Sequence, residues 1–145
     1  IGAWRRLGRP EAALVGSQYF GSRTHNGSPW VVKAAPAARW IFRGTGLEPG
    51  SSFSSGGIEA DRTDASSPPG TQVVAEIPNV FGTGKDAQMT YYEAPSGARV
   101  FAAGAFTLAG SVWQPTVDRV VTNLIDELSR PLLGARVSAK RRGLG

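Results

Sequence analysis

Glycine and proline, which interrupt regular secondary structure, most constrain what this chain can fold into. The sequence contains 19 glycines and 10 prolines in 145 residues, so we expect many turns and long connections between short helices and strands. The length is sufficient for one domain with a substantial core. The chain begins at Ile1 and carries several glycine-punctuated segments. We therefore expect it to be a piece of a larger, enzyme-like protein.

Cysteine is absent and His25 is the one histidine. The sequence therefore excludes disulfides, thiolate metal ligands and a cysteine nucleophile within this chain. A serine–histidine or metal–histidine mechanism would require His25, which we interpret as a residue of a turn-rich loop. The lack of cysteine fits a reducing compartment, and we expect a cytoplasmic location.

The net charge of +5 is unevenly distributed along the chain. Residues 1–43 hold seven basic residues and one acidic, residues 44–129 hold four basic and ten acidic, and residues 130–145 hold five basic and none acidic. Aromatic residues do not alternate with basic ones as in a base-stacking platform, so we interpret the charge blocks as complementary within the protein rather than as a nucleic-acid surface. No apolar stretch is long and unbroken enough to predict a membrane span. We predict one domain, complete or partial, over residues 1–130 and a basic, flexible tail over residues 131–145.

Short runs of β-branched, aromatic and small apolar residues predict most of the strands. We predict strands at residues 12–16, 31–32, 40–42 and 72–77, loops at residues 22–29 and 44–57, and a turn at residues 68–70. A β-hairpin is predicted from residues 89–93 and 99–103, because Pro95 and Gly97 suit the turn between them. Small residues over 102–108 predict a close approach of backbone segments.

A helix is predicted to begin at Pro115, since proline is tolerated at the first helical position. Apolar residues then recur at helical spacing and form one stripe, and Pro131 ends the pattern. The stripe consists of Val117, Val120, Val121, Leu124, Ile125 and Leu128. We expect this helix to pack on a sheet.

Two carboxylates in the segment GGIEADR, at residues 56–62, are the candidate reactive groups. Glu59 and Asp61 are two residues apart, so in an extended strand they project to the same face, whereas Arg62 projects to the other. Two carboxylates on one face can share acid–base chemistry or hold a cation. The alternative interpretation is a surface loop rich in turn-forming residues.

Two other motifs are interpreted as structural. The glycine-rich segment at residues 44–50 lacks the lysine and following serine or threonine of a phosphate-binding loop. The triplet Tyr91-Tyr92-Glu93 offers oxygen ligands, but Tyr92 would point away from the other two in a strand. We therefore predict that this triplet does not hold a metal ion.

Four segments, taken in their order, resemble the large subunit of N,N-dimethylformamidase-like proteins. They are WRRLGRPE with the following LVG at residues 4–16, WIFRGTGL at 40–47, GIEADR at 57–62 and VFAAG at 100–104. The resemblance extends over roughly residues 1–130. It implies an α/β fold with a flavodoxin-like sheet, similar to class I glutamine amidotransferases and complete or partial here, with the β-hairpin and the C-terminal amphipathic helix.

The resemblance also implies a function for the parent protein. Enzymes of this kind hydrolyse the amide of dimethylformamide, use an iron held by tyrosine and glutamate side chains, and have a large subunit that associates with a small one. We expect those iron ligands to precede Ile1, so this chain would bind no cofactor itself and would not be active alone. Its partners would be the rest of the parent chain, a small subunit and further copies in a homo-oligomer.

Within that framework, site residues can be assigned by type. Glu59 and Asp61 are the candidate catalytic residues, and Arg5, Arg6 and Arg62 are the candidate substrate-binding residues, since a guanidinium binds a carboxylate such as formate in bidentate fashion. Glutaminase chemistry is not carried over, because it requires a cysteine nucleophile. The alternative function is a non-catalytic binding or scaffold domain of a larger protein.

Overall fold

The structure, a computed structural model, describes residues 4–131, apart from the side chains at positions 23–26, 57 and 107. It has a mixed α/β architecture. The strands are β1 (Gln18–Val32), β2 (Ser52–Arg62), β3 (Gln72–Ile77), β4 (Ala87–Glu93) and β5 (Arg99–Ala102). The α-helices are α1 (Ala12–Val15) and α2 (Pro115–Leu128), and 3₁₀ helices lie at Trp4–Leu7, Pro36–Phe42 and Phe106–Ser111.

The five strands form one sheet in the order β2-β1-β3-β4-β5, and every pair of neighbours is antiparallel. A flavodoxin-like sheet is built from parallel strands joined by crossover helices. The described strands therefore confirm a mixed α/β domain with a hairpin and a C-terminal helix. They do not confirm the flavodoxin-like or glutamine-amidotransferase-like classification.

The sheet curls so that its outer strand β2 meets the chain just after β5. The Asp61 amide donates a hydrogen bond to the Gly104 carbonyl oxygen at 2.9 Å, and the Thr63 amide donates to Gln88 Oε1 at 2.9 Å. Gly104 has a φ of 70°, and a Cβ there would lie 2.1 Å from the Gln88 carbonyl oxygen. The close approach predicted for residues 102–108 thus depends on a glycine at this position.

The core lies between the sheet, the 3₁₀ helix Pro36–Phe42 and α2. Trp30, Ile77 and Met89 are fully buried in it. Helix α2 buries Val117, Val120 and Leu124, whereas Ile125 is 63% exposed. The predicted helix is confirmed with its start at Pro115, but only part of the predicted apolar stripe faces the core.

Strand β3 and the hairpin of β4 and β5 also agree with the sequence prediction. In the hairpin, the Ala94 amide donates to the Ala98 carbonyl and the Gly97 amide donates to the Ala94 carbonyl, both at 2.8 Å. Gly97 has a φ of 83°, as the turn requires. The turn at residues 68–70 is closed by a hydrogen bond from the Thr71 amide to the Pro68 carbonyl.

The strands predicted at residues 12–16 and 40–42 are wrong. The first segment is the single-turn helix α1, which ends at Gly16 with a φ of 86° and a hydrogen bond from its amide to the Ala12 carbonyl. The second belongs to the 3₁₀ helix Pro36–Phe42, where Ala38 and Ile41 lie three residues apart and are buried on one side. Pro36 at its first position presets φ for a helical turn.

The predicted loops at residues 22–29 and 44–57 are wrong in part. Residues 22–29 lie within β1, and β2 begins at Ser52. Shifts in the register of β1 against β2, between Arg23 and Ser28 and between Ser28 and Trp30, absorb the glycine and proline of this segment. The predicted tail falls almost wholly outside the described residues. None of the helices within residues 4–131 has the length and apolar character needed to cross a membrane.

Candidate functional site

The candidate catalytic carboxylates lie on β2, near its C-terminal end. Glu59 is paired with Ser22 of β1 and Asp61 with Tyr19. Ala60 between them is fully buried in the core, so strand alternation places both carboxylates on the opposite face. Both side chains are half-buried. The strand therefore places Glu59 and Asp61 on one face, as their spacing predicts.

The environment of Asp61 favours its protonated form. Burial raises the pKa of the Asp61 carboxyl, and the charges of Glu59 and then Glu11 raise it further. Glu11 comes from the segment just before α1 and was not a candidate at the level of sequence. The carboxylates of Glu59 and Glu11 therefore lie near enough to Asp61 to oppose its ionisation.

The backbone beside this pair is strained. Ile58 has a φ of 66°, in the left-handed region that a β-branched residue rarely adopts. Such a conformation costs of order 1–3 kcal/mol and is retained where the surrounding structure imposes it. Here the strained residue immediately precedes Glu59, so the strand geometry that fixes Glu59 is imposed by the fold rather than by local preference.

Two of the three candidate arginines converge on one pocket. Arg5 Nη1 donates to the Tyr19 carbonyl oxygen at 2.8 Å, and its guanidinium lies 5.9 Å from the Tyr19 ring centroid. Arg62 Nη1 donates to the Gly84 carbonyl oxygen at 3.1 Å, and its guanidinium lies 5.3 Å from the Phe20 ring centroid. Both arginines line a pocket of about 360 Å³, together with Gln18, Tyr19, Phe20, Thr63 and Asp64.

The remaining candidates are placed outside this pocket. Arg6 is exposed on the 3₁₀ helix Trp4–Leu7 and does not line it. Glu59 and Asp61 do not line it either, although Asp61 is the cross-strand partner of Tyr19, which does. The structure thus gives an arginine pocket and a carboxylate pair that are neighbours along β2, where Asp61 directly precedes Arg62 and projects to the other face of the strand.

A known protein family matches the part of the chain that carries both groups. The family described as N,N-dimethylformamidase beta subunit-like, C-terminal, matches residues 1–118. The chain belongs to this family. No curated protein sequence matches it at a significant level. The matched region of this dimethylformamidase-like domain includes the arginine pocket, the carboxylate pair and all five strands.

Iron, which the family resemblance implies for the parent enzyme, does not fit the described residues of the dimethylformamidase-like domain. No group of three or more His, Cys, Asp or Glu side chains within the described part of the chain is placed to hold a metal ion. The Tyr91 hydroxyl donates to Glu93 Oε1 at 2.7 Å, whereas the Tyr92 hydroxyl donates to the Leu14 carbonyl at 2.6 Å. The two tyrosines therefore serve separate structural contacts, and the location of iron ligands elsewhere in a parent protein stays a prediction.

Sequence reasoning missed the residues that complete the site of this dimethylformamidase-like domain. Tyr19 and Phe20 were not assigned because the strand that carries them was predicted to begin only at residue 31. Asp64 was not a candidate at the level of sequence, and it lines the pocket while accepting a hydrogen bond from the Ser66 amide. The side chain of His25 is outside the described part of the structure, so the interpretation of this residue stays a prediction.

Proposed function

We propose that this domain forms one wall of the amide-hydrolysing site of a dimethylformamidase-like protein and binds the carboxylate that the reaction releases. Hydrolysis adds water to the acyl carbon of an amide, breaks the C–N bond and yields a carboxylate and an amine. The observation that carries the proposal is the convergence of Arg5 and Arg62 on one pocket. The membership of the chain in the dimethylformamidase-like family supports it.

The two guanidinium groups are suited to a small carboxylate. Each uses one nitrogen on a backbone carbonyl and lies over an aromatic ring, so its position is fixed while other N–H donors remain for a ligand. The Asp64 carboxylate in the pocket wall accepts hydrogen bonds from both the amide and the hydroxyl of Ser66. The pocket therefore presents a predominantly cationic surface of a size suited to formate or a similar anion.

We propose an acid–base role for the carboxylate pair. Burial and the charge of Glu59 raise the pKa of Asp61, which suits a general acid, and we propose that its carboxyl group donates a proton to the departing amine nitrogen. Glu59 would accept the proton of the attacking water. The iron ligands, and the parts of the site that contact the metal, would belong to other regions of a parent protein. A small subunit would be a separate partner of that protein.

A second candidate function, protein binding, is supported by exposed apolar residues near the start of the described chain. Trp4, Leu7 and Leu14 are 61%, 76% and 64% exposed, and a groove of about 620 Å³ lies beside Trp4 and Leu14. Exposed apolar surface of this kind is typical of protein interfaces. It favours the alternative of a non-catalytic binding domain, or a contact between this domain and the rest of a larger assembly.

Formate titration of the 145-residue chain tests the main proposal. Backbone amide NMR signals of residues around Arg5 and Arg62 should shift, with a dissociation constant of about 1 mM or weaker, because three non-hydrogen atoms limit the affinity. R5Q and R62Q should each weaken binding by about fivefold or more, and R6Q, an exposed arginine outside the pocket, should not. Formamide is the uncharged ligand control.

Two results would contradict the proposal. One is the absence of shifts around the pocket, and the other is an equal loss in R6Q. The isolated chain should also release no formate from dimethylformamide, since the metal-binding part is expected elsewhere. Formate release by this chain alone would place the complete reaction within these 145 residues.

A further inference from the structure

A second pocket lies at the opposite end of the β1–β2 pair from the arginine pocket. The arginine pocket is at the end where Gln18 is paired with Arg62, whereas this cleft is at the end where Val31 is paired with Ser52. It has a volume of about 740 Å³, within the range of small-molecule sites. Its walls are the end of β1, the 3₁₀ helix Pro36–Phe42 and the loop at residues 43–49.

The cleft combines a rigid apolar wall with cationic groups. Pro36, Phe42 and Leu47 supply apolar surface. The Trp40 ring, also in the lining, is held edge-on to the Tyr91 ring with centroids 5.4 Å apart. Such a wall is formed before any ligand binds, which lowers the entropic cost of binding.

Arg39 and Arg43 are the cations that remain available. Lys33 also lines the cleft, but its Nζ is paired with Glu76 Oε1 at 2.8 Å. Within the part of the chain that the structure describes, the side chains of Arg39 and Arg43 make no ion pair or hydrogen bond. Two exposed arginines therefore line the same cleft, and their guanidinium groups have no protein partner among these residues.

The backbone of the glycine-rich loop does not supply the anion contacts. The Thr45 amide donates to the Phe42 carbonyl, the Leu47 amide to Thr45 Oγ1 and the Glu48 amide to Ser51 Oγ. A phosphate-binding loop would direct such amides at the ligand. An anion in this cleft would thus be held by side chains, and the Glu48 carboxylate in the wall disfavours a polyanion.

We propose that this cleft binds an organic monoanion with a flat apolar body, such as an aryl carboxylate. The flat apolar body of the ligand packs between Trp40 and the apolar side chains of Pro36 and Leu47. The carboxylate accepts hydrogen bonds from Arg39 and Arg43. This site is separate from the arginine pocket, and it does not depend on the function proposed for that pocket.

Titration of the full chain with 2-naphthoate, followed by backbone amide NMR, tests the proposal. Signals of residues 33–49 should shift, and 2-naphthamide, which has the same body without the charge, should bind about fivefold more weakly or worse. The double variant R39Q/R43Q should weaken 2-naphthoate binding about tenfold or more. The matched control R6Q/R9Q removes the same charge from exposed arginines outside the cleft and should change binding less than twofold.

Three results would overturn the proposal. They are equal losses in the two double variants, equal affinity for naphthoate and naphthamide, and shifts confined to residues outside the cleft. The NMR spectrum of each variant also shows directly whether its fold is retained. R39K/R43K, which keeps the charge but loses the planar fork, should recover only part of the affinity, whereas a purely electrostatic attraction would recover all of it.

Discussion

Replacement of Gly104 by alanine should destabilise the domain strongly, because two independent penalties meet at this residue. The first is conformational, since Gly104 has a φ of 70°, and an L-residue in the left-handed region costs about 1–2 kcal/mol. The second is steric, since the new Cβ would lie 2.1 Å from the Gln88 carbonyl oxygen. The Gln88 oxygen is a backbone atom, and the position of the new Cβ is fixed by the backbone of residue 104. The clash can therefore be relieved only if the end of the strand moves.

The expected loss follows from the sum of these terms. Forced overpacking typically costs about 1–3 kcal/mol, so G104A should lower the free energy of unfolding by roughly 2–5 kcal/mol. For a urea m-value of about 2 kcal/mol/M, a loss of 3 kcal/mol lowers the unfolding midpoint by about 1.5 M. That is a large part of the stability of an ordinary domain.

Two other glycines separate the contributions in a urea unfolding assay. Gly70 has a φ of 83° and no heavy atom within 4 Å of a Cβ placed on it, so G70A should cost only the conformational term of about 1 kcal/mol. Gly110 has the same open space without a positive φ, so G110A should change stability by less than about 0.5 kcal/mol. A loss in G104A no larger than that in G70A would refute the close approach of the Gly104 and Gln88 backbones.

Two further predictions concern charged groups. Because the folded pKa of Asp61 is raised, this residue favours folding at low pH, and its contribution is lost as the pH rises above about 4. The stability of D61N relative to wild type should therefore increase between pH 4 and pH 7 in urea unfolding, and a constant difference would contradict this. Arg99 pairs with Glu127 and so joins β5 to α2, with both side chains largely buried. R99M should cost about 1–2 kcal/mol, against about 0.5 kcal/mol or less for K33M, whose side chain is 43% exposed; equal losses by thermal unfolding would count against the buried pair.

The elements predicted correctly are those whose ends are fixed by local chemistry. The hairpin turn is determined by Pro95 and Gly97, and the start of α2 by Pro115. Strand β3 is bounded by the turn at residues 68–70 and by Pro78. In each case the residues that decide the conformation lie next to the element, so the sequence alone contains the information.

The elements predicted wrongly depend on distant parts of the chain. Helix α1 is a single turn, too short for a periodic pattern, and it is held to the sheet by the Tyr92 hydroxyl on the Leu14 carbonyl. The middle of β1 has the composition of a loop, yet pairing with β2 keeps residues 22–29 in the strand. Tertiary pairing thus outweighs local propensity, as it commonly does in strands.

The candidate site also has features that the sequence predicts and features that only the fold reveals. The common face of Glu59 and Asp61 follows from strand alternation, which the sequence predicts. The contribution of Glu11 to the pKa of Asp61 and the meeting of Arg5 with Arg62 arise only from the fold. Arg6 was an equal candidate in the sequence, yet it does not line the pocket, although it follows Arg5 on the same 3₁₀ helix, Trp4–Leu7.

The arginine pocket exists only in one register of β1 against β2. Gln18 is paired with Arg62 and Tyr19 with Asp61, and the extra residue Phe20 bulges before Gly21 meets Ala60. A slip by one residue would turn each of these side chains to the face opposite its present one, because side chains alternate along a strand. The hydrogen bond from the Asp61 amide to the Gly104 carbonyl fixes this register from the other edge of β2. The same glycine that closes the sheet therefore also holds the carboxylate pair and Arg62 on their respective faces, so G104A should weaken formate binding even where the protein remains folded.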